Sequence, residues 1–257
     1  MLEIIKSREN DKIKFLCKLM KSSSVRNENK LFITEGIKLC NDISTYQNPK
    51  EVYYTQELLN SYPHIENFSG MHHIITTEIA KKISDVKTPQ GIFCVFDMPT
   101  FDNFGEINED TRLIVLDKVQ DPGNVGTIIR TSTALGFNGI ILTSNCADIY
   151  NPKTLRGAMS STIKIPIIKT DDIENLILEF KAQNVTFLAS SLKNSKDINL
   201  VKPSGAIAIV IGSEGEGISN EVFTICDHSI CIPIKDEIES LNASIAAGIL
   251  MWHYRKL

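Results

Sequence analysis

The carboxyl-terminal part of the sequence contains a series of apolar runs that constrains the fold more than any other feature. Most of these runs are continuous rather than alternating, which is typical of strands buried on both faces of a parallel sheet. Helical patterns lie between them, and this alternation predicts an α/β domain whose sheet is covered by helices on both sides. The predicted strands are residues 112–117, 139–143, 185–190, 206–212 and 228–234.

The amino-terminal part of the chain has a second, smaller α/β pattern. Four strand-like runs within the first 96 residues alternate with helix-like stretches. A polar segment with one proline and one glycine follows, and its lack of either periodicity predicts a linker. We therefore expect a first domain over residues 1–97, a linker over 98–110 and a second domain over 111–257.

Composition argues against several classes of protein. No apolar run approaches the roughly 20 residues of a membrane-spanning helix, and the charged amino terminus lacks the apolar core of a secretory signal. The six cysteines have no CxxC spacing, so we expect free thiols and a cytoplasmic protein. The adjacent His72 and His73 would point to opposite faces of a strand, which makes them a poor metal pair.

Charge is unevenly distributed along the chain. The net charge of −4 argues against a protein that coats nucleic acid non-specifically. The first 40 residues nevertheless contain nine basic and five acidic residues. A solvated helix surface explains this excess as readily as an RNA-binding surface does.

Three turns that directly follow predicted strands carry unusual polar residues. Ligands bind at the carboxyl ends of strands in such sheets, so these turns form the candidate site. The first turn leads through Asn124 to Arg130, and the second, residues 211–218, has the glycine-rich sequence IGSEGEGI. The third, residues 232–244, is a charged loop that ends where Ser240 or Asn242 opens the terminal helix.

Each turn also has a purely structural interpretation. Asn124, Ser240 and Asn242 are good helix caps, Arg130 can be an ordinary surface charge, and glycines suit tight turns. The second turn lacks the usual frame of a dinucleotide-binding loop and the GK[ST] of a P-loop. It is not a GxSxG nucleophile elbow either.

Taken together, the segments NVGTIIR, IGSEGEGIS and IPI…ESLNASIAAG resemble the three signature motifs of the SpoU/TrmH-type RNA ribose methyltransferases of the SPOUT superfamily. The segment NPKTLRGAMSS is similar to the family's usual stretch after the second strand, although Met159 and Ser160 stand where smaller or different residues are expected. The first domain, including the phrase FITEGIKL, resembles the ribosomal-protein-like RNA-binding domain often placed ahead of this catalytic domain.

The resemblance implies transfer of a methyl group from S-adenosylmethionine to a ribose 2′-hydroxyl, with ribosomal RNA favoured over transfer RNA as substrate. It implies a deep trefoil knot in the second domain and no metal. It also implies a homodimer, because the family counterpart of the apolar terminal helix lies at the subunit interface. Trp252 would then be buried there, although a core helix within one chain explains the same pattern.

The resemblance also assigns candidate residues, position by position. The catalytic candidates are Asn124, Arg130, Glu214, Ser240 and Asn242. The cofactor candidates are Leu188, Ala189, Ser190, Gly212, Glu214, Gly215, Ile232, Ile234, Leu241, Asn242 and Ala243, of which the first three would wall the adenine. The expected RNA contacts are Lys6, Arg8, Lys12, Arg26, Lys30, Lys38 and Arg156.

The proton of the ribose hydroxyl is the difficult part of the implied reaction, because no histidine lies in any motif. A guanidinium normally stays protonated. We therefore expect Arg130 to orient the phosphate and stabilise the developing alkoxide, while Glu214 or water relays the proton. The competing classes are a non-catalytic RNA-binding protein with the same fold and a dinucleotide-dependent oxidoreductase with a similar sheet.

Overall fold

The computed structural model of the protein describes residues 4–235 and 240–256. The chain divides into two compact units. The first comprises the described residues up to Thr100 together with Asp148–Ile163. The second comprises Phe101–Ala147 and the described residues from Lys164 onward.

The first unit is built around a five-stranded mixed sheet. Its strands are β1 (Ile4–Ile5), β2 (Leu31–Glu35), β3 (Glu51–Thr55), β4 (Met71–Ile75) and β5 (Ile92–Asp97). They lie in the order β1-β4-β3-β5-β2, and β5 runs antiparallel to both of its neighbours. The helices are α1 (Asp11–Lys21), α2 (Ser23–Asn29), α3 (Ile37–Ser44), α4 (Gln56–Ser61), α5 (Thr77–Ile83) and α7 (Pro152–Ala158).

Both faces of this sheet are buried, because neighbouring residues of a strand point to opposite sides. Phe32 and Tyr54 belong to the core cluster on one face. Ile33 and Tyr53, next to them in the chain, belong to the cluster on the other face, with α1 and α5. All helices of this unit except α3 start where a side chain caps them, as Thr76 does for α5 by accepting a hydrogen bond from the amide of Ile79.

The segment Asp148–Ile163 packs in the first unit, whereas we assigned it to the second domain from the sequence. The ring of Tyr150 stacks on Phe32 with their centroids 4.9 Å apart, and Leu155 is fully buried in the same core cluster. The segment therefore completes the hydrophobic core of the first unit. The functional boundaries at residues 97 and 111 stay a prediction.

The second unit is built around a seven-stranded sheet in which every described pairing is parallel. Its strands are β6 (Arg112–Leu116), β7 (Gly139–Thr143), β8 (Ile167–Thr170), β9 (Thr186–Ser190), β10 (Lys196–Asp197), β11 (Ile207–Ile211) and β12 (His228–Cys231). They lie in the order β10-β12-β9-β11-β6-β7-β8. The helices are α6 (Pro122–Ala134), α9 (Ile173–Ala182), α10 (Asn220–Ile225) and α11 (Ala243–Tyr254), and α8 (Ser161–Lys164) joins the units in the chain.

The expected fold class is confirmed: a parallel α/β unit follows a smaller α/β unit. The continuous apolar runs predicted β6, β7, β9, β11 and β12, whose central positions are buried. The sequence missed β1, β8 and β10, which have two to four residues each and little burial. Short strands of this kind have no local periodicity to reveal them.

All six cysteines are free thiols, of which Cys40 and Cys94 are buried. Over residues 4–235 and 240–256, no helix has both the length and the apolar character that crossing a membrane requires. The same residues contain no cluster of three or more histidine, cysteine, aspartate or glutamate side chains arranged to hold a metal ion.

Candidate active site

A cavity of about 480 Å³ lies at the carboxyl ends of β9, β11 and β12 in the second unit. This is the edge of a parallel sheet at which ligands bind. Three loops form its walls: residues 190–194 after β9, residues 212–218 after β11, and the segment around Ile232 and Ile234 after β12. The first turn of α11 and the preceding Ser240 and Leu241 close the remaining side.

The glycine-rich loop after β11 folds back tightly on itself. Ser213 and Gly217 exchange two backbone hydrogen bonds of 3.1 and 3.0 Å. A Cβ atom at Gly212 would lie 2.1 Å from the carbonyl carbon of Gly217, so only glycine fits there. The carboxylate of Asp117 at the end of β6 accepts a 2.7 Å hydrogen bond from the amide of Ser219, which ties the loop to the neighbouring strand.

Asn242 begins a chain of hydrogen bonds that joins all three sequence motifs. Its Oδ1 caps α11 by accepting from the amides of Ser244 and Ile245, at 2.9 and 3.3 Å. Its Nδ2 therefore faces Asn124 and donates to Oδ1 of that residue at 3.0 Å. Since this contact uses the oxygen of Asn124, its Nδ2 is left to donate to the carboxylate of Glu214. The capping role of Asn242 thus fixes which atom donates and which accepts in each of these hydrogen bonds.

Two of the expected catalytic residues, Ser240 and Arg130, take no part in this series of hydrogen bonds. Ser240 is exposed and lines the cavity. Arg130 lies six residues beyond Asn124 on α6, so the two side chains leave the helix in different directions. Arg130 is exposed, and no described residue forms a hydrogen bond or ion pair with it. The structure thus joins Asn124, Glu214 and Asn242 and leaves the guanidinium of Arg130 facing solvent.

Most of the expected cofactor residues line the cavity: Ser190, Gly212, Glu214, Gly215, Ile232, Ile234, Leu241 and Ala243. Asn242 instead belongs to the hydrogen-bond chain. Leu188 and Ala189 do not line the cavity, because they lie within β9 and are 0% and 1% exposed in the core of the sheet. The expectation that these two residues wall the adenine is therefore corrected, and only Ser190 at the strand end reaches the cavity.

Sequence reasoning missed several residues of the cavity wall. The loop after β9 contributes Lys193, which is the one basic residue among the described lining residues. The position of this loop after a predicted strand was the signal that could have revealed it. The other missed residues are Ser191, Leu192, Asn194, Ile211, Ser213, Glu216, Gly217, Ile218, Asn220, Phe223, Cys231 and Ala246.

The expected RNA contacts fall into three groups in the first unit. Exposed side chains belong to Lys6, Arg8, Lys12, Lys30 and Lys38. Arg156 is also exposed, but it forms a bidentate ion pair with Asp85, with N–O distances of 2.8 and 2.9 Å. The prediction for Arg26 is wrong, as its contacts show.

Arg26 is 2% exposed and its guanidinium is fully engaged within the first unit. It donates to the carboxylate of Asp148 at 2.5 and 3.1 Å, and to the carbonyl oxygens of Leu19 and Met20 at 2.5 and 3.2 Å. A buried guanidinium with these partners has no free face for a phosphate. Its role is to hold the segment around Asp148 against α1 and α2.

Two family patterns match this chain. The pattern described as the SpoU rRNA Methylase family matches residues 111–252. The pattern described as the MRM3-like substrate binding domain matches residues 10–94. The first therefore includes the cavity and the hydrogen-bond chain, and the second includes most of the first unit.

Similar proteins cover almost the whole chain. The 23S rRNA (guanosine(2553)-2'-O)-methyltransferase RlmP of Bacillus subtilis is 29% identical, over 98% of this chain and 98% of its own. The crystal structure of an rRNA methyltransferase from Sinorhizobium meliloti has a TM-score of 0.84 at 27% identity, covering 98% of this chain and 96% of its own. The AdoMet-bound structure from the same organism has a TM-score of 0.83 at 26% identity, with coverage of 98% and 97%.

Proposed function

The chain belongs to the SpoU rRNA methylase family, and from this premise we propose that it transfers a methyl group from S-adenosylmethionine to a ribose 2′-hydroxyl of ribosomal RNA. The observation that carries the proposal is the cavity at the carboxyl end of the parallel sheet. The hydrogen bonds that run from Asn242 through Asn124 to Glu214 lie beside it. The three motifs that meet there are distant in the sequence and adjacent in the fold.

The cavity fits S-adenosylmethionine in size and in chemistry. Its volume of about 480 Å³ lies within the usual range for small-molecule sites. Apolar side chains such as Ile232 and Leu241 suit the adenine and the methionine chain. The carboxylates of Glu214 and Glu216 complement the positive charges of the cofactor, and the ammonium of Lys193 complements its carboxylate.

The reaction requires the protein to align the methyl donor with the ribose and to help remove the proton of the 2′-hydroxyl. S-adenosylmethionine supplies a methyl group that its sulfonium has already activated. The hydrogen bond from Asn124 holds the Glu214 carboxylate in place, where Glu214 or a water would take the proton that the 2′-hydroxyl loses. The bound cofactor would supply the methyl group and leave as a neutral thioether once its carbon–sulfur bond is broken. Ser240 lines the cavity, which supports a role in hydrogen-bonding the ribose.

Arg130 acts on the RNA rather than on the cofactor. Its exposed guanidinium is free of described partners, so it can grip a phosphate at two points and stabilise the developing alkoxide. Because these contacts strengthen as charge develops, their contribution appears mainly in the transition state.

The test is single-turnover methyl transfer into ribosomal RNA at saturating cofactor. Arg130→Ala should remove most of the rate while calorimetry still detects cofactor binding. Arg130→Lys should restore little, because lysine keeps the charge and loses the planar fork. Lys202→Ala, at an exposed cation of the same unit, is the matched control and should keep the full rate. A near-normal rate for Arg130→Ala would remove this residue from the mechanism.

The RNA is identified by mapping 2′-O-methyl sites in cells with and without the gene. Loss of a methyl group in ribosomal RNA supports the proposal, and loss in transfer RNA supports the same reaction on the alternative substrate. Loss in neither points to the non-catalytic RNA-binding protein. The cytoplasmic location expected from the amino terminus stays a prediction.

The proposal includes a homodimer formed through α11. Ile245, Ile249 and Trp252 lie at positions i, i+4 and i+7 of this helix and are 54%, 39% and 59% exposed, so they form an apolar stripe on one side. A second copy would bury this stripe, including Trp252. Light scattering at micromolar concentration should report a dimer that Ile249→Lys dissociates. Leu178→Lys, at an exposed leucine of α9, should leave the dimer intact, and a monomeric wild type would refute the idea.

A further inference from the structure

A second cavity, of about 310 Å³, lies wholly within the first unit. It shares no lining residue with the larger cavity, at which methyl transfer is proposed. Apolar side chains form part of its wall, and the polar part comprises two cations, a carboxylate, a hydroxyl and an amide. The lining residues are Glu35, Gly36, Lys38, Leu39, Val86, Thr88, Gln90, Arg156 and Met159.

Glu35, the last residue of β2, places a buried carboxylate at this cavity. Glu35 is only 9% exposed. Oε1 accepts a 2.6 Å hydrogen bond from the hydroxyl of Ser84, whereas Oε2 is buried without a hydrogen-bond partner among the described residues. An acceptor left in this state is costly, so a ligand N–H group that meets it after a small rotation of the Glu35 side chain would be bound favourably.

Two cations and a second carboxylate lie near this carboxyl group. Burial raises the pKa of Glu35, the Ser84 hydroxyl lowers it, and the neighbouring carboxylate of Asp85 raises it again. Asp85 is itself held by the bidentate contact with Arg156. Arg156 and Lys38 bring two positive charges to the wall of the cavity beside the buried acceptor.

The wall of this cavity also has a fixed amide, from Gln90. Oε1 of Gln90 accepts a 2.8 Å hydrogen bond from the amide of Ile37 at the start of α3. This contact orients the side chain, and its Nε2 has no partner among the described residues. Gly36 allows the close approach, because it has φ +94° and a Cβ there would lie 3.1 Å from that oxygen. The wall thus offers an oriented donor as well as an acceptor.

Met159 lines the same cavity in a strained backbone conformation. Its φ is +55° and its ψ is −143°, a combination that side chains rarely adopt. Strain of this kind persists where the surrounding structure enforces it, and it clusters at ligand sites. The residue directly follows α7, which carries Arg156. The segment that completes the core of the first unit therefore also shapes this cavity.

We propose that this cavity binds one unpaired nucleobase of the RNA substrate, and guanine in preference to the other bases, with its N–H edge donating to Glu35 and the adjoining phosphates held by Lys38 and Arg156. The proposal rests on the proposed function only in taking RNA as the ligand. A volume near the lower end of small-molecule sites suits a single base. RNA is read mostly through splayed, unpaired bases at their Watson–Crick edges, and guanine presents two adjacent N–H groups there.

The test uses the full-length protein and two labelled nonamers, oligouridine with a central guanosine and oligouridine throughout, with binding followed by fluorescence anisotropy. Because a hydrogen bond to a charged group is at stake, the guanosine nonamer should bind about tenfold more tightly. Glu35→Gln should reduce this preference to within about twofold, since it removes the charge that strengthens the contact. Glu28→Gln, at an exposed glutamate of the same unit, is the matched control and should keep it.

A second variant decides the question if Glu35→Gln fails to fold. Val86→Trp fills the cavity from its partly exposed rim and leaves Glu35 in place, so it should abolish the preference for guanosine. Equal binding of the two nonamers by the wild type would overturn the proposal, as would a preference that survives in folded Glu35→Gln or in Val86→Trp. No cofactor or methyl transfer enters this assay, so a failure of the proposed reaction remains distinguishable from a failure of this site.

Discussion

At the scale of single residues, the orientation of two asparagine amides decides what the candidate active site offers to a ligand. The Oδ1 of Asn242 accepts hydrogen bonds from the first amides of α11. Its Nδ2 therefore donates to Oδ1 of Asn124, which directs the Nδ2 of Asn124 toward Glu214. A neutral donor is thereby placed against the carboxylate. Among the described residues Glu214 forms no ion pair, and in the proposed reaction its second oxygen accepts from the ribose hydroxyl.

Asn124→Asp tests this arrangement, because it keeps the shape of the side chain and replaces the donor with a second carboxylate. Loss of the charged hydrogen bond is worth about 2 kcal/mol, so single-turnover methyl transfer should slow by about 30-fold. Two adjacent carboxylates cannot both ionise easily, so the rate should also require a higher pH than in the wild type. Asn103→Asp, which can still accept from the amide of Gly105, should show neither change.

Glu35→Gln tests the cost of the buried carboxylate in the first unit. Burial raises the pKa of Glu35 in the folded protein, so the folded state holds this proton more tightly than the unfolded chain does. Its stabilising contribution is present below the ordinary pKa of a glutamate, about 4.3, and is lost as the pH rises through the folded value. The variant should therefore raise the melting temperature at pH 7 and lose this advantage near pH 4. An unchanged difference between the two pH values would contradict the assignment.

At the scale of elements, the glycine-rich loop after β11 shows how one turn serves both folding and binding. Gly212 is packed against the backbone of Gly217, whereas Gly215 has no atom within 4 Å of the position its Cβ would take. Both residues line the cavity. Sequence inspection treats these glycines alike, and only their surroundings distinguish the structural one.

Gly212→Ala and Gly215→Ala form a matched pair. The added methyl group at Gly212 has to displace backbone, which should lower the free energy of unfolding by about 3 kcal/mol and abolish cofactor binding in calorimetry. Gly215→Ala should change the stability by less than about 1 kcal/mol. The argument fails if thermal unfolding shows equal stability for the two variants.

At the scale of the whole molecule, the two units are not consecutive stretches of the chain. The segment Asp148–Ile163 leaves the second unit after β7, supplies Tyr150 and Leu155 to the core of the first, and returns before β8. The lining residues of the larger cavity all lie between residues 190 and 246. The lining residues of this cavity therefore all belong to the second unit, whereas a segment inserted in the same part of the chain belongs to the core of the first unit.

A fragment of residues 108–257 separates these two properties. The unsubstituted fragment should aggregate, because Tyr150 and Leu155 lose the apolar partners that bury them. The same fragment with Tyr150→Ser and Leu155→Gln should stay in solution and bind S-adenosylmethionine within about threefold of the full chain, since a threefold change is less than 1 kcal/mol. A folded, substituted fragment without any heat of binding would show that the cofactor site depends on the first unit.

The sequence by itself determined five strands of the parallel sheet, the order of the motifs and the two loops after β11 and β12 that line the larger cavity. These features depend on short-range patterns: continuous apolar runs mark strands buried on both faces, and the turns after them mark the binding edge. The family likeness drew on the same local segments. It therefore found Gly212, Glu214 and Asn242 but missed Lys193, which lies in no motif.

Only the tertiary structure decided which of the candidate residues are available. Arg26 meets Asp148, 122 positions away, and is buried with it. Asn124 meets Asn242 across 118 positions, and Arg130 meets no described partner at all. A charge or an amide looks the same in a sequence whether it is solvated or enclosed, because burial depends on contacts between distant segments that leave no periodic trace in either one.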